Sequence, residues 1–147
     1  MIIRAAVGDD HDAIATVWQD GWRSTNLSHW MDPSWESLRA RIPKELANGW
    51  SLHVGEKNGL VVGMLAFRPR DSCLDQVFVA PNYQGKGLGR QLLNFARQEM
   101  PDEMWLRCAA DNIKAWQWYE REGFYLEKEM AHETSEMPLK YYRWRRT

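Results

Sequence analysis

A short glycine-rich segment, residues 84–89, is the part of the chain best suited to binding chemistry. Gly85, Gly87 and Gly89 stand between an apolar run that predicts a strand and a periodic run that predicts a helix. Glycines let the backbone turn tightly and expose its N–H groups, and a helix N-terminus behind them adds partial positive charge. The segment therefore predicts a cradle for a phosphate or pyrophosphate.

Two common nucleotide-binding loops fit this segment poorly. A Walker loop has the form Gly-x-x-x-x-Gly-Lys-Ser/Thr, and no Lys-Ser/Thr follows a glycine loop in this chain. A dinucleotide fingerprint has the form Gly-x-Gly-x-x-Gly early in a βαβ unit, whereas Gly85, Gly87 and Gly89 simply alternate. The segment is therefore neither a Walker loop nor a dinucleotide-binding fingerprint.

The elements that must position the cradle follow from hydrophobic periodicity and turn signals. We expect strands at residues 2–7, 50–56, 60–67, 73–79, 104–109, 125–130 and 139–144. We expect helices at residues 9–22, 32–48, 87–100 and 112–123, with Pro43 breaking or kinking the second. Asp9, Asp32 and Asn112 are the predicted N-caps. Asn58-Gly59 predicts a type I′ hairpin.

This order, β-α-α-β-β-β-α-β-α-β-β, predicts the fold class. A meander of strands followed by βαβ crossovers implies a mixed α/β fold, with helices on both faces of a mixed sheet. The 147 residues fit one domain, residues 1–147, with a core of its own.

Composition narrows the class of protein. The net charge of −1 argues against a nucleic-acid binder, which would normally be basic. Cys73 and Cys108 have no neighbouring His or Cys at ligand spacing, so we expect neither a metal site nor a disulfide framework. No apolar run approaches the ~18 residues of a membrane span, and no leader is evident at the start. We therefore expect a cytoplasmic protein without membrane contact.

Two motifs carry a resemblance to a known family. The strand at residues 74–79, followed by Ala80-Pro81 and Gln84-x-x-Gly87-x-Gly89, is similar to the acetyl-CoA motif of the GNAT N-acetyltransferases. Downstream, Asn112-x-x-Ala115-x-x-Trp118-Tyr119-x-x-x-Gly123-Phe124 resembles a second segment of that family, with Trp118 in place of the usual Phe. The resemblance implies a central, mostly antiparallel sheet of about seven strands that splays between the fourth and fifth strands.

The resemblance also implies how acetyl-CoA, the expected co-substrate, is held. Backbone N–H groups at residues 85–90 would cradle the pyrophosphate. The backbone of the strand would pair with the pantetheine arm, and an N–H near Phe78 could donate to the thioester oxygen. The residues implied in cofactor binding are Val77, Phe78, Val79, Gln84, Gly85, Lys86, Gly87, Leu88, Gly89, Arg90, Asn112 and Tyr119.

Acetyl transfer to an amine needs a proton donor for the leaving thiolate and a neutral amine. Tyr119 matches the family tyrosine that acts as the general acid. Asp75 is the candidate general base, because several family members carry an acid on this strand, and strand alternation places it on the same face as Val77 and Val79. His53, His132 and Glu120 remain alternatives as the base, as does an amine that arrives neutral.

The acceptor is expected to be a small-molecule or peptide amine. By resemblance its site is built from residues 22–35 and 127–139, with Trp22, Arg23 and Trp30 as substrate-binding candidates and Trp35 and His29 nearby. The acids between residues 120 and 136 would favour a cationic amine. The alternatives are an acyl-CoA-binding sensor without turnover and a protein acetyltransferase with a flat groove, and a homodimer is possible.

Overall fold

The computed structural model describes residues 1–25, 27 and 29–147. The strands are β1 (Ile2–Ala5), β2 (Ser51–Lys57), β3 (Leu60–Arg68), β4 (Cys73–Val79), β5 (Glu103–Ala109), β6 (Tyr125–Ala131) and β7 (Pro138–Arg145). The helices are α1 (His11–Arg23), α2 (Trp35–Ala47), α3 (Leu88–Glu99) and α4 (Ile113–Arg121). The predicted order of elements is confirmed.

The sheet has seven strands in the order β1-β2-β3-β4-β5-β7-β6. Every neighbouring pair is antiparallel except β4 and β5, which run parallel. β4 and β5 pair only at Cys73 and Trp105, where the Trp105 N–H donates to the Ser72 carbonyl at 2.8 Å. Beyond that point the two strands separate, so the splay predicted between the fourth and fifth strands is confirmed.

β4 contains one extra residue relative to β3. The register pairs Ala66 with Gln76 but Phe67 with Leu74, which leaves Asp75 without an opposite residue. Such an insertion is a β-bulge, and it shifts the alternation of side chains along the strand.

Because of the bulge, the prediction that Asp75 lies on the same face of the sheet as Val77 and Val79 is wrong. Val77 and Val79 point to the core under α3, whereas the carboxylate of Asp75 accepts a hydrogen bond from Trp50, which belongs to the core under α1 and α2. Asp75 therefore lies on the opposite face of the sheet, toward α1 and α2.

Two apolar layers enclose the sheet, and a third, smaller cluster extends one of them. The layer under α3 and α4 includes Leu65, Phe67, Leu92, Leu93, Met104 and Tyr142. The layer under α1 and α2 includes Ile14, Trp18, Leu38, Ile42, Val54 and Met64. The third cluster joins Leu27 of the α1–α2 connection to Ala109, Met137 and Leu139 at the ends of β5 and β7.

Several predicted element boundaries were wrong because other residues supply the caps. The hydroxyl of Ser34 accepts from the Ser37 N–H at 3.1 Å, so α2 begins after Ser34 rather than at Asp32. Pro43 lies within α2 instead of breaking it.

The entry to α1 also differs from the prediction. The N-cap position is Asp10 rather than Asp9, and its carboxylate accepts from the Val7 N–H at 2.8 Å and from Arg4 at 2.8 and 2.9 Å. β1 ends at Ala5 because the chain turns into this bonded segment.

Candidate active site

The glycine-rich turn before α3 leaves backbone donors free. Gly85 and Gly87 have φ values of +78° and +80°, and a Cβ at either would meet nothing within 4 Å. The first hydrogen bond of α3 runs from the Gln91 N–H to the Gly87 carbonyl at 3.2 Å. In the part of the chain that the structure describes, the N–H groups of residues 85–88 have no backbone acceptor. The turn is therefore an open anion cradle at a helix N-terminus.

Gln84 and Lys86 flank the cradle in different ways. The Gln84 side chain donates from Nε2 to the Val79 carbonyl at 3.0 Å, which joins the turn to the end of β4. The Lys86 ammonium lies 5.6 Å from the centre of the Tyr83 ring, on the exposed side of the turn. Lys86 thus keeps its charge near the cradle.

Arg90 and Gly89 hold α3 against α4. Arg90 donates to Glu122 from Nε and Nη2 at 3.0 and 2.7 Å. Although burial opposes it, pairing with Arg90 and Arg97 holds the pKa of Glu122 below its ordinary value. A Cβ at position 89 would lie 3.5 Å from the Trp118 ring. Arg90, predicted to add charge near the phosphates, is therefore tied to a carboxylate of the α4 C-terminus.

The backbone of β4 faces the gap at alternate residues. The Ala80 N–H donates to the Val62 carbonyl of β3 at 2.8 Å, and alternation in an antiparallel pair then turns the backbone of Phe78 toward β3 as well. The N–H and C=O groups of Val77 and Val79 point the other way, into the gap beside β5. Contrary to the prediction, the Phe78 backbone is therefore not available to the pantetheine arm. The prediction for the backbone of Val77 and Val79 is unchanged.

The Phe78 side chain sets how closely α1 approaches the gap. A Cβ on Gly21 of α1 would lie only 2.3 Å from Cδ1 of Phe78. Gly21 is buried, so the helix backbone packs directly on the ring. This contact was not predicted from the sequence, although a glycine inside a predicted helix is a signal for it.

Tyr119 lies on α4 with its ring packed and its hydroxyl free. The ring centres of Trp118 and Phe124 lie 5.0 and 5.4 Å away, and no hydrogen-bond partner for the hydroxyl occurs among the described residues. Burial, with Cys108 nearby, raises the pKa of Tyr119 above the ordinary tyrosine value. Burial also raises the pKa of Cys108 to about 12. Both groups are therefore protonated at neutral pH.

Asp75 is held by residues of the opposite layer. Its Oδ2 accepts from Trp50 Nε1 at 2.6 Å and lies 3.7 Å from Arg68 Nε. Its other oxygen, Oδ1, has no partner among the residues that the structure describes. The carboxylate is thus oriented through one oxygen and has the second available.

The other candidate bases have local roles. His53 packs between two phenylalanine rings, where burial lowers its pKa. His132 accepts two backbone N–H groups of the following turn through Nδ1, each at 3.2 Å. Glu120 accepts from the Tyr142 hydroxyl at 2.6 Å.

Asn112 occupies the N-cap position of α4, as predicted, but its side chain does not cap the helix. It makes no capping hydrogen bond, and the helix start is held instead by the Asn112 carbonyl, which accepts the N–H groups of Ala115 and Trp116 at 3.1 and 3.2 Å. This leaves the side-chain amide without a structural role at the helix start.

The predicted acceptor residues lie where α1 leads into α2. Trp22 donates to the Met31 carbonyl and Trp30 to Asp111, each at 2.8 Å, and both rings pack on the third cluster. Arg23 pairs with Asp32 at 3.3 Å on the surface.

Trp35 and His29, the other two residues expected near the acceptor, lie in different places. Trp35 packs against the layer under α1 and α2 and not against the third cluster. His29 lies 3.7 Å from Asp111, beside Trp30. Asp111, absent from the sequence-based set, therefore ties the α1–α2 connection to the start of α4.

The acids between residues 120 and 136 are mostly neutralised. Four of these acids form ion pairs: Glu122 with Arg90 and Arg97, Glu127 with Arg143, Glu129 with Lys140, and Glu133 with Arg107. Glu120 accepts from the Tyr142 hydroxyl. These pairs reduce the free negative charge on which the expectation of a cationic acceptor depends, and that expectation stays a prediction.

A family model for the acetyltransferase (GNAT) family matches residues 13–124. The chain belongs to the GNAT family. The match spans α1 to the end of the second motif, so it includes the cradle, the gap and Tyr119. This GNAT chain is therefore an acetyltransferase, as the two sequence motifs predicted.

Relatives agree with this assignment. A probable N-acetyltransferase of Mycobacterium tuberculosis, Rv2775, is 31% identical over 141 residues, which cover 85% of this chain and 80% of that protein. A GCN5-related N-acetyltransferase of Rhodopseudomonas palustris has the same fold, with a TM-score of 0.80, 14% identity and coverage of 99% and 95% of the two chains. The protein yncA of Salmonella typhimurium, solved with acetyl-CoA as its cofactor, has a TM-score of 0.74, 23% identity and coverage of 98% of this chain and 92% of that chain.

The part of the chain that the structure describes contains neither a candidate metal site nor a helix able to span a membrane. No group of three or more His, Cys, Asp or Glu side chains is placed to hold a metal ion in this part of the chain. Among the helices of residues 1–25, 27 and 29–147, none combines the length and apolar character that a membrane span needs.

Proposed function

We propose that the protein transfers the acetyl group of acetyl-CoA to a primary amine of a small molecule or peptide, by direct attack in a ternary complex. The observation that carries this proposal is the gap between β4 and β5. It is lined by the backbone of Val77 and the N–H of Val79, since the Val79 carbonyl already accepts from Gln84. It ends at the open cradle of Gly85 and Gly87, and the free hydroxyl of Tyr119 lies near Cys108 of β5.

The residues present suit acetyl-CoA as the donor. Free N–H groups at residues 85–88 and the charge of Lys86 match a pyrophosphate, and an extended amide-bearing arm can pair with the backbone of Val77 and Val79 as a strand would. Acetyl-CoA supplies a thioester that an amine can attack. The N–H of Val77 or Val79, rather than that of Phe78, is available to the thioester oxygen.

Tyr119 acts as the general acid in this proposal. Its raised pKa keeps the phenol protonated, and its hydroxyl has no competing partner among the described residues. A thiolate with a pKa near 8.5 benefits from such a donor.

Asp75 acts as the general base on the other face. An alkylammonium has a pKa near ~10 and must lose a proton before it attacks. Trp50 fixes Oδ2, so Oδ1 is the atom that can accept the proton, directly or through a water molecule. The donor and the acid then lie toward α3 and α4, and the acceptor approaches from the side of α1.

The experiment is an acetyl-CoA assay over an amine panel, with thiol release as the readout. We expect amine-dependent release, and about a hundredfold loss of kcat in Tyr119→Phe with an unchanged Kd for acetyl-CoA. Tyr142→Phe is the matched control, because that hydroxyl already donates to Glu120 in the same layer. Tight acetyl-CoA binding with no turnover on any amine would instead indicate a sensor.

A further inference from the structure

Part of the sheet face toward α1 has no helix over it. α1 and α2 pack on β2, β3 and β4, and the α1–α2 connection packs on Ala109 and Leu139 at the ends of β5 and β7. Between these two regions the register aligns Arg107 of β5, Tyr141 of β7 and Lys128 of β6 in one line across the strands. We refer to these three residues as the central row.

The central row carries positive charge that is only weakly compensated. Arg107 pairs with Glu133 at 3.3 Å, and the two side chains are 41% and 67% exposed. Such exposed pairs contribute little to stability, so another carboxylate can replace Glu133. Lys128 has no carboxylate partner among the described residues. The neighbouring Arg143, by contrast, is paired with both Glu103 and Glu127.

Two stacked aromatic rings adjoin these cations. The rings of Trp105 and Tyr141 lie nearly parallel, with centres 6.1 Å apart and an angle of 16° between them. The Lys128 ammonium lies 4.8 Å from the centre of the Tyr141 ring. Both rings are half-buried, so each presents apolar surface beside a charge. Such a surface fits a ligand that joins a planar group to an anion.

The central row also borders the proposed active site. Cys73 and Trp105 are the last paired residues before β4 and β5 separate. Asp75 and Arg107 each lie two residues further along, on opposite sides of the gap and on the same face of the sheet. An acceptor with its amine near Asp75 would therefore have Arg107 across the gap from it.

We propose that the acceptor amine also carries a carboxylate and a planar group, as an aromatic amino acid does. Arg107 and Lys128 bind the carboxylate in place of Glu133, and the planar group lies on Trp105 and Tyr141. The existing Arg107–Glu133 pair is the reason for choosing a carboxylate, because in it the Arg107 guanidinium already donates to one. The proposal rests on the proposed acetyl transfer and specifies its substrate class.

The first test measures binding without turnover. Phenylacetate has the ring and the carboxylate but no amine, and phenylacetamide is its uncharged counterpart. We expect phenylacetate to shift the NMR signals of Trp105 and Tyr141, and Arg107→Gln to weaken its binding about tenfold, or about 1.4 kcal/mol. Lys44→Gln, on an exposed part of α2, is the charge-matched control. Equal binding of both compounds, or no effect of Arg107→Gln, would overturn the proposal.

The second test compares phenylalanine with phenethylamine, which differ by the carboxylate, as acceptors. We expect a higher kcat/KM for phenylalanine in the native enzyme, and a ratio that falls about tenfold in Arg107→Gln because only the carboxylated acceptor loses its partner. An equal fall for both acceptors would mean that Arg107 only supports the fold, and would overturn the proposal. If no amine is acetylated, the proposed function fails, while the phenylacetate result still decides the anion site.

Discussion

Replacing Gly87 by alanine separates the cost of backbone strain from the loss of the cradle. Gly87 and Gly59 have nearly equal φ values, +80° and +79°, and a Cβ at either position would meet nothing within 4 Å. Each substitution should therefore lower the free energy of unfolding by roughly 1–2 kcal/mol through the left-handed backbone alone. For a chain of this length that corresponds to roughly 2–8 °C in Tm.

Only the Gly87 change should affect acetyl-CoA. A phosphate oxygen must approach the N–H groups to about 2.9 Å, and a Cβ would occupy the open space in front of them. We expect at least about a tenfold rise in Kd for Gly87→Ala. For Gly87→Glu, two charges ~5 Å apart at an effective dielectric of ~20 add about 3 kcal/mol, or roughly a hundredfold.

The assay is calorimetric titration of acetyl-CoA, with thermal unfolding of the same samples. Gly59→Ala, in the β2–β3 hairpin, is the matched control and should keep the native Kd despite a similar fall in Tm. An unchanged Kd in both Gly87 variants would refute the assignment of the cradle.

Four further experiments test the roles assigned to Tyr119, Asp75, Cys73 and Asp10. Because burial raises the pKa of Tyr119, a pH–rate profile should show no alkaline loss from that phenol up to about pH 10, and a fall near pH 8 would contradict its role. Asp75→Asn keeps an acceptor for Trp50, so the fold should persist while kcat falls about tenfold or more at pH 7 and less at high pH. Burial raises the pKa of Cys73 to about 12, so iodoacetamide should not label it in folded protein at pH 8; rapid labelling would show otherwise. Hydrogen bonding to Arg4 lowers the pKa of Asp10, so its stabilisation should be full above about pH 4 and lost as the pH falls through the folded value. Urea unfolding at several pH values should lose this dependence in Asp10→Asn.

The cradle and the second motif could be predicted because local chemistry determines them. A residue with positive φ ahead of a helix is usually glycine, and Gly85 and Gly87 both have it. The Asn58-Gly59 turn follows the same rule, with φ values of +53° and +79°. The order of elements followed from periodicity, which depends only on which face of each segment is buried.

The arrangement around Asp75 could not be predicted in this way. Its position depends on a β-bulge, which is set by the pairing of β4 with β3 and has no local signature here. The hydrogen bond from Trp50 joins residues 25 positions apart. The cap of α2 was mislocated for a simpler reason: Asp32-Pro33 and Ser34 are both plausible starts, and only the fold selects between them.

Following a labelled acetyl group from donor to product is the direct test of acetyl transfer by this protein. Acetyl-CoA with a ¹³C-labelled acetyl group is incubated with the enzyme and an amine panel, and products are identified by mass spectrometry alongside released CoA. We expect a labelled N-acetyl amine in equal amount to the CoA, and a greatly reduced yield from Gly87→Glu at an acetyl-CoA concentration near the native Kd. CoA release without a labelled amine, or the same yield from Gly87→Glu, would contradict this expectation.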